Sequence, residues 1–156
     1  MNPGHSIVTR EIYGEEVKET FYAKAIRVID GDTIELLLED KSHPNFRLAS
    51  IDAPEKKQPF GSKATEVLKE MCIGRDVTVF QTGIDRYGRP IAFIYIVGQN
   101  VNAAMVREGL AWHYKKYSDD DELAEVENEA REAKQGLWAD AEPVAPWTWR
   151  KQREQK

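Results

Sequence analysis

The stretch from Ile29 to Glu55 constrains this chain more than any other. It opens with Ile29-Asp30-Gly31-Asp32-Thr33 and closes with Arg47-Leu48-Ala49-Ser50-Ile51-Asp52-Ala53-Pro54-Glu55. An apolar, strand-like run and a polar loop containing Pro44 lie between them. Asp30-Gly31 between two apolar runs is a hairpin turn signal. Taken alone, Asp52-Ala53-Pro54-Glu55 is a turn that ends a strand, because proline fixes its own φ and donates nothing to a ladder. Arg47 alone reads as a solvated strand residue. The combination asks for more. Four carboxylates (Asp30, Asp32, Asp52, Glu55) and one arginine crowd into a short segment, and no core needs them. Carboxylate oxygens are the donors that hard cations such as Ca²⁺ prefer. A guanidinium beside such a cation points to phosphate, whose oxygens its planar fork matches. The residues themselves therefore point to metal-assisted phosphodiester chemistry.

The rest of the chain supplies a scaffold for that stretch. Phe21 to Ile29, rich in β-branched and aromatic residues, reads as a strand, with Thr33 to Leu38 as its hairpin partner. Phe46 to Ile51 is a third strand. Consecutive short strands with tight connections argue for a β-meander in a small barrel. Ser62 is the expected cap of a helix whose stripe is Ala64, Val67, Leu68 and Met71, ended by Gly74. Cys72 falls on that apolar face and reads as core packing. Val77 to Phe80 and Ile91 to Val97 are the fourth and fifth strands, joined by the turn Asp85 to Pro90. A second helix spans Val101 to Glu108, capped by Asn100 or Asn102. A third follows Asp119 to Asp121, with Leu123, Val126, Ala130 and Ala133 as its buried stripe. Residues 1–20 form an arm without periodicity. Residues 143–156 form a tail, with Trp147 and Trp149 among prolines and bases, expected to pack loosely or fray.

Four motifs now stand in order: Asp-Gly-Asp-Thr (30–33), Arg-Leu (47–48), Ile-Asp-x-Pro-Glu (51–55) and Asp-Arg-Tyr-Gly-Arg (85–89). Their order resembles the staphylococcal nuclease (thermonuclease) family, from about Ala23 to Trp138. The resemblance implies an α+β fold: a five-stranded OB-fold β-barrel with three α-helices, occupying residues 21–142 between the arm and the tail. It implies a calcium-dependent nuclease that cleaves DNA and RNA with little sequence specificity and leaves 3′-phosphate ends. Asp32 and Asp52 would hold Ca²⁺ together with the backbone carbonyl of Ala53, where the family often has threonine. Asp30 would act through water. Glu55 would take a proton from the attacking water or orient it. Arg47 and Arg89 would clamp the phosphate. Arg86 and Tyr87 would bind a terminal phosphate, and Tyr114 and Tyr117 would stack on bases. The loop Glu55 to Gly61, with Lys56 and Lys57, fits either a mobile grip on the nucleic-acid backbone or ordinary solvated lysines. The implied partners are DNA and RNA; the implied state is a monomer off the membrane, secreted or periplasmic.

Two other readings are weaker. A catalytically weak nuclease-like binding or scaffold module would lack the metal carboxylates or the arginines, yet Asp32, Arg47, Asp52, Glu55 and Arg89 are all present. A bare OB-fold single-strand binder does not explain carboxylates in a nucleic-acid groove, since they repel phosphate unless a cation intervenes. The net charge of −5 looks awkward for a nucleic-acid enzyme. Residues 119–142 hold ten acids and two bases, a net of −8, so the remainder carries −5 − (−8) = +3. The acidic excess lies on the third helix, which reads as a solvated face. With a single cysteine there is no intrachain disulfide, and no apolar run approaches the roughly 20 residues of a membrane span. Like-charge crowding among Asp30, Asp32, Asp52 and Glu55 leads to one stability expectation: without metal, Asp32→Asn should melt above the unsubstituted protein.

Overall fold

A computed structural model describes residues 10–154. Five strands close a barrel: β1 (Glu19–Asp30), β2 (Thr33–Leu37), β3 (Asn45–Leu48), β4 (Asp76–Ile84) and β5 (Pro90–Ile96). The order is β3-β2-β1-β4-β5, and a parallel pairing of β3 with β5 closes the ring. All other barrel pairings are antiparallel. This is the five-stranded OB-fold arrangement expected from the sequence, and closure removes the exposed edges that an open sheet would present. The inward side chains are apolar: Ala25, Ile34, Leu36, Ile51, Leu68, Val79, Ile94 and Met105 are all 0% exposed. Register shifts in β1, between Ala25 and Arg27 and again between Val28 and Asp30, reset the alternation. Val28 then faces inward, and Asp30 sits opposite Thr33 at the mouth of the hairpin.

The helix α1 (Gly61–Cys72) covers one end of the barrel with Ala64, Leu68 and Cys72. Its cap is Phe60, in a left-handed conformation at φ 71°, and Ser62 lies inside the first turn rather than capping it. The reason is steric. A Cβ at Gly61 would collide with the carbonyl oxygen of Glu55, so the helix must begin where glycine lets the Glu55 loop come close. The helices α2 (Val101–Arg107) and α3 (Asp121–Glu132) pack on each other. Asn100 caps α2 by accepting from the Ala103 N–H at 3.1 Å. Asn102 is instead fully buried, bonded to the Ile94 N–H and the carbonyls of Ala49 and Ala92. It ties α2 across β5 to the segment leading into the site.

Both ends of the chain differ from expectation. Within the arm expected over residues 1–20, residues 1–9 lie outside the described residues. Glu11–Ile12 and Glu15–Glu16 pair as a small hairpin, turning at Tyr13 and Gly14, and Ile12 packs with Phe80 and Phe93. Among the described residues the expected three α-helices are corrected to four. Pro146–Glu154 forms α4, where a loose tail was expected. Proline at the first helical position is favourable, because the N–H it lacks would be unpaired there anyway. Trp147 anchors this helix against Trp112. No helix among the described residues is long and apolar enough to cross a membrane.

Candidate functional site

The hairpin β1–β2, strand β3 and the loop after it converge at one mouth of the barrel. Thr33 pairs with Arg47, and Arg47 pairs in turn with Ile91. The sequence-distant residues Asp32, Arg47 and Asp52 are thereby brought together. Gly31 is needed for the approach: a Cβ there would lie 2.8 Å from the Cβ atoms of both Ala53 and Ala64. Asp52 is held from behind. The short strand Ile51–Asp52 pairs with Trp112–His113. The His113 N–H donates to the buried carboxylate of Glu127 at 2.7 Å, which also receives Lys115 at 2.8 Å and Arg131 at 3.2 Å.

The geometry centres on the Arg47 guanidinium. Its Nη2 lies 3.3 Å from both Asp32 Oδ2 and Asp52 Oδ1. Asp32 and Asp52 are 6% and 1% exposed. Asp32 Oδ2 also accepts the Ala53 N–H at 2.8 Å, and Asp32 Oδ1 accepts the Thr33 hydroxyl at 3.2 Å. Asp30 Oδ1 accepts the Asp32 N–H at 3.1 Å. The charge states diverge accordingly. Burial, reinforced by the neighbouring Asp32 charge, pushes Asp30 up to about 7. Burial likewise raises Asp52 to about 6, against the pull of the arginines around it. Asp32 is held below its ordinary value: burial acts to raise it, but Arg47 and the hydrogen bonds it accepts prevail. These carboxylates resist carrying their full charge together, the condition that a bound divalent cation relieves. Among the described residues, no three Asp, Glu, His or Cys side chains converge into a ready metal cage. The donor set is thus sparse, two facing carboxylates plus backbone, and an ion here keeps room for water and substrate. That fits a hard cation.

The remaining candidates occupy the rim. Asp85 organises the turn after β4: Oδ1 accepts the N–H groups of Tyr87 and Arg89, each at 2.9 Å, and Oδ2 holds Arg89 Nε at 2.8 Å. Arg89 is therefore preset by Asp85 and makes no bond to Asp32, Asp52 or Glu55 among the described residues. Arg86 donates to the Tyr87 hydroxyl at 2.9 Å and lies over its ring at 5.0 Å, both groups exposed. Tyr117 is 62% exposed. Tyr114 is half-buried, with one face stacked on Trp147 at 5.4 Å and 5°. Lys56 and Lys57 are exposed, but their loop is pinned by the buried Gln58, which accepts from the Glu55 N–H at 3.2 Å and donates to the Val144 carbonyl at 2.6 Å. A larger open groove of about 700 Å³ lies on the barrel flank, lined by Phe21, Tyr22, Leu38 and Pro90; none of the candidate site residues lines it.

Sequence reasoning missed three residues. Arg150 of α4 reaches into the site: Nη2 lies 2.7 Å from Asp52 Oδ2, and Nη1 lies 2.9 Å from Glu55 Oε1. Trp147 covers Tyr114. Glu127 anchors the strand behind Asp52. For Glu127 a signal existed, since it falls on the Leu123 and Ala130 face of α3.

Residues 45–140 match the family model described as staphylococcal nuclease homologue. The chain is 47% identical over 130 residues to an uncharacterized endonuclease of Escherichia coli O157:H7, covering 83% of this chain and 84% of that protein. It is 39% identical over 142 residues to a micrococcal nuclease of Shigella flexneri, covering 84% and 81%. It is also similar to the Arabidopsis thaliana staphylococcal-like nuclease CAN1, 40% identical over 137 residues, covering 88% of this chain and 42% of that one.

Proposed function

The chain belongs to the staphylococcal nuclease homologue family, and from that premise we propose that it hydrolyses phosphodiester bonds of both DNA and RNA with calcium, leaving 3′-phosphate ends. The observation that carries this reading is the Arg47 guanidinium shared at 3.3 Å by two buried carboxylates, Asp32 and Asp52. A structural ion pair would need one carboxylate there, whereas an excess of them suits a cation with a phosphate beside it.

Asp32, Asp52 and the Ala53 backbone would hold the ion, with Asp30 acting through water. Bound there, calcium supplies charge neutralisation and polarises the phosphoryl oxygens. The chain's own groups do the rest. Arg47, whose Nη2 lies between the two carboxylates, and Arg89, preset by Asp85 at the rim, would clamp the phosphate. Glu55, with its side chain 35% exposed, is accessible to solvent and takes a proton from the attacking water or orients it. Arg86 and Tyr87 receive a terminal phosphate, and Tyr117 with Tyr114 offers ring faces to bases. Contacts to backbone and π-faces carry little sequence information, so specificity should be low. No group assigned here needs a 2′-hydroxyl, so DNA and RNA should both serve.

The test is incubation with single-stranded DNA and with RNA, in Ca²⁺ or in EGTA, followed by mapping of the ends. Cleavage in calcium with 3′-phosphate products is expected. Equal cleavage in EGTA, or none in calcium on any nucleic acid, would defeat the reading.

A further inference from the structure

We infer that Arg150, carried by the C-terminal helix, is a positioning residue of this site: its guanidinium fixes the orientation of Asp52 and Glu55 relative to each other. The inference rests on the nuclease reading above and assigns α4 to the working site.

The contacts are specific. Arg150 makes a two-pronged approach to Asp52, Nη2 to Oδ2 at 2.7 Å and Nη1 to Oδ1 at 3.3 Å. The same Nη1 donates to Glu55 Oε1 at 2.9 Å. One planar group thus spans a carboxylate 1% exposed and a second at the solvent edge. Arg150 grips Oδ2 closely and Oδ1 only at 3.3 Å. Oδ1 is the oxygen turned toward Arg47 and hence toward Asp32. Oδ1 thus accepts from both arginines, and Oδ2 from Arg150 alone. Asp30, Asp32, Asp52 and Glu55 face Arg47 and Arg150, an excess of two carboxylates, which one divalent cation neutralises. Arg150 and the ion are therefore compatible occupants of the pocket.

The helix that carries Arg150 is anchored without it. Trp147 stacks on Tyr114 and meets Trp112 edge-on at 5.4 Å. Ala145 and Pro146 are buried. Gln58 bonds both the Glu55 N–H and the Val144 carbonyl, so it ties the Glu55 loop to the entry of α4. The guanidinium is delivered by packing, and its fork geometry is what a lysine cannot reproduce.

The experiment compares full-length wild type with Arg150→Ala, Arg150→Lys and Arg153→Ala. The last removes an exposed charge from the same helix. Turnover is measured on single-stranded DNA in calcium. Ion affinity is measured by terbium(III) luminescence, a readout independent of turnover. For Arg150→Ala, kcat should fall about 10–100-fold, the usual cost of losing a group that orients a metal ligand, with KM changed less than about threefold. Terbium affinity should be equal or weaker, because freed carboxylates must be reordered by the ion. Arg150→Lys should recover less than half of the lost turnover, and Arg153→Ala should match wild type. If Arg150→Ala does not fold, Arg150→Lys decides by the same criteria. Wild-type kcat in Arg150→Ala, full recovery by lysine, or tighter terbium binding would overturn the inference; the last would make Arg150 a plug that competes with the ion. If wild type itself cleaves nothing, the nuclease reading fails, and the terbium arm still reports on Arg150.

Discussion

Asp30 and Asp32 stand two residues apart, and burial pushes both upward, yet their net shifts are opposite. Asp32 is stabilised in its charged form by Arg47, the Thr33 hydroxyl and the Ala53 N–H, so replacing it removes favourable contacts. These contacts weigh against the expectation that Asp32→Asn relieves strain and place the strain on Asp30, raised to about 7 by burial and by its neighbour. The sign follows from linkage. A carboxyl raised in the folded state keeps a proton that the unfolded chain releases near 3.8. Its stability contribution is full below that value and is lost as pH rises through about 7. In EGTA at pH 8, Asp30→Asn should thus melt above wild type, with the gap closing at pH 4, while Asp32→Asn should melt below it. Thermal melts across pH check this; an Asp30→Asn protein less stable than wild type at pH 8 refutes it. Three more single substitutions test the proposed chemistry. Arg47→Lys or Arg89→Lys keeps charge but loses the fork, and turnover should fall roughly a hundredfold or more. Glu55→Gln should lose about 10²–10⁴-fold with a smaller change in calcium affinity. Near-normal steady-state rates would remove the residue concerned from the mechanism.

At the level of elements, the strands and turns were readable because their causes are local. Alternation of β-branched and apolar residues marks β1, β2 and β5, and Asp30-Gly31 and Asp85 to Arg89 are turns by their own chemistry. The helix α4 was not readable, because Pro143 and Pro146 resemble breakers until it is known that Pro146 begins the helix and that Trp112 and Tyr114 wait for Trp147. For the same reason Arg150 could not be placed at the site: its partners lie 98 and 95 residues away. The charge run of α3 hid a different fact. Most of its acids are solvated, but Glu127 is 1% exposed and holds His113, Lys115 and Arg131 at once. Removing Glu127 leaves the buried His113 N–H without its acceptor, at a cost of about 1–3 kcal/mol, while Lys115 and Arg131 are exposed enough to be rescued by water. We expect Glu127→Ala to lower the melting temperature by roughly 2–12 °C, at the 2–4 °C per kcal/mol typical of a chain this size. It should also reduce turnover, since the strand paired with Ile51–Asp52 loses its anchor. A melting temperature within 2 °C of wild type would mean that Glu127 is dispensable; scanning calorimetry and an initial-rate assay suffice.

Over the whole molecule, the proposed ion would be linked to the fold. The carboxylates Asp30, Asp32 and Asp52 are drawn together by the β1–β2 hairpin and the loop after β3, so their repulsion acts against the closure of that part of the barrel. An ion that binds only the folded state stabilises it by mass action, about 2.7 kcal/mol at a concentration a hundred times its dissociation constant. For a chain of this size, that corresponds to a melting shift of roughly 5–11 °C. Protons compete for the same oxygens. Asp30 and Asp52, raised to about 7 and about 6, are largely protonated at pH 5 and must release protons before an ion can be held. The calcium-induced shift should therefore be large at pH 8 and small at pH 5. Without calcium the melting temperature should instead fall between those values of pH, as the two carboxyls lose their protons. The two melting curves, plotted against pH, should diverge steadily upward from pH 5. Asp52→Asn removes one proposed ligand and should collapse the divergence at pH 8, while leaving a folded barrel. Melts of wild type and Asp52→Asn, in calcium and in EGTA at both values of pH, measure all of this directly. A shift in Asp52→Asn equal to that of wild type would place the ion elsewhere on the surface. A wild-type shift independent of pH would mean that neither Asp30 nor Asp52 gives up a proton to it.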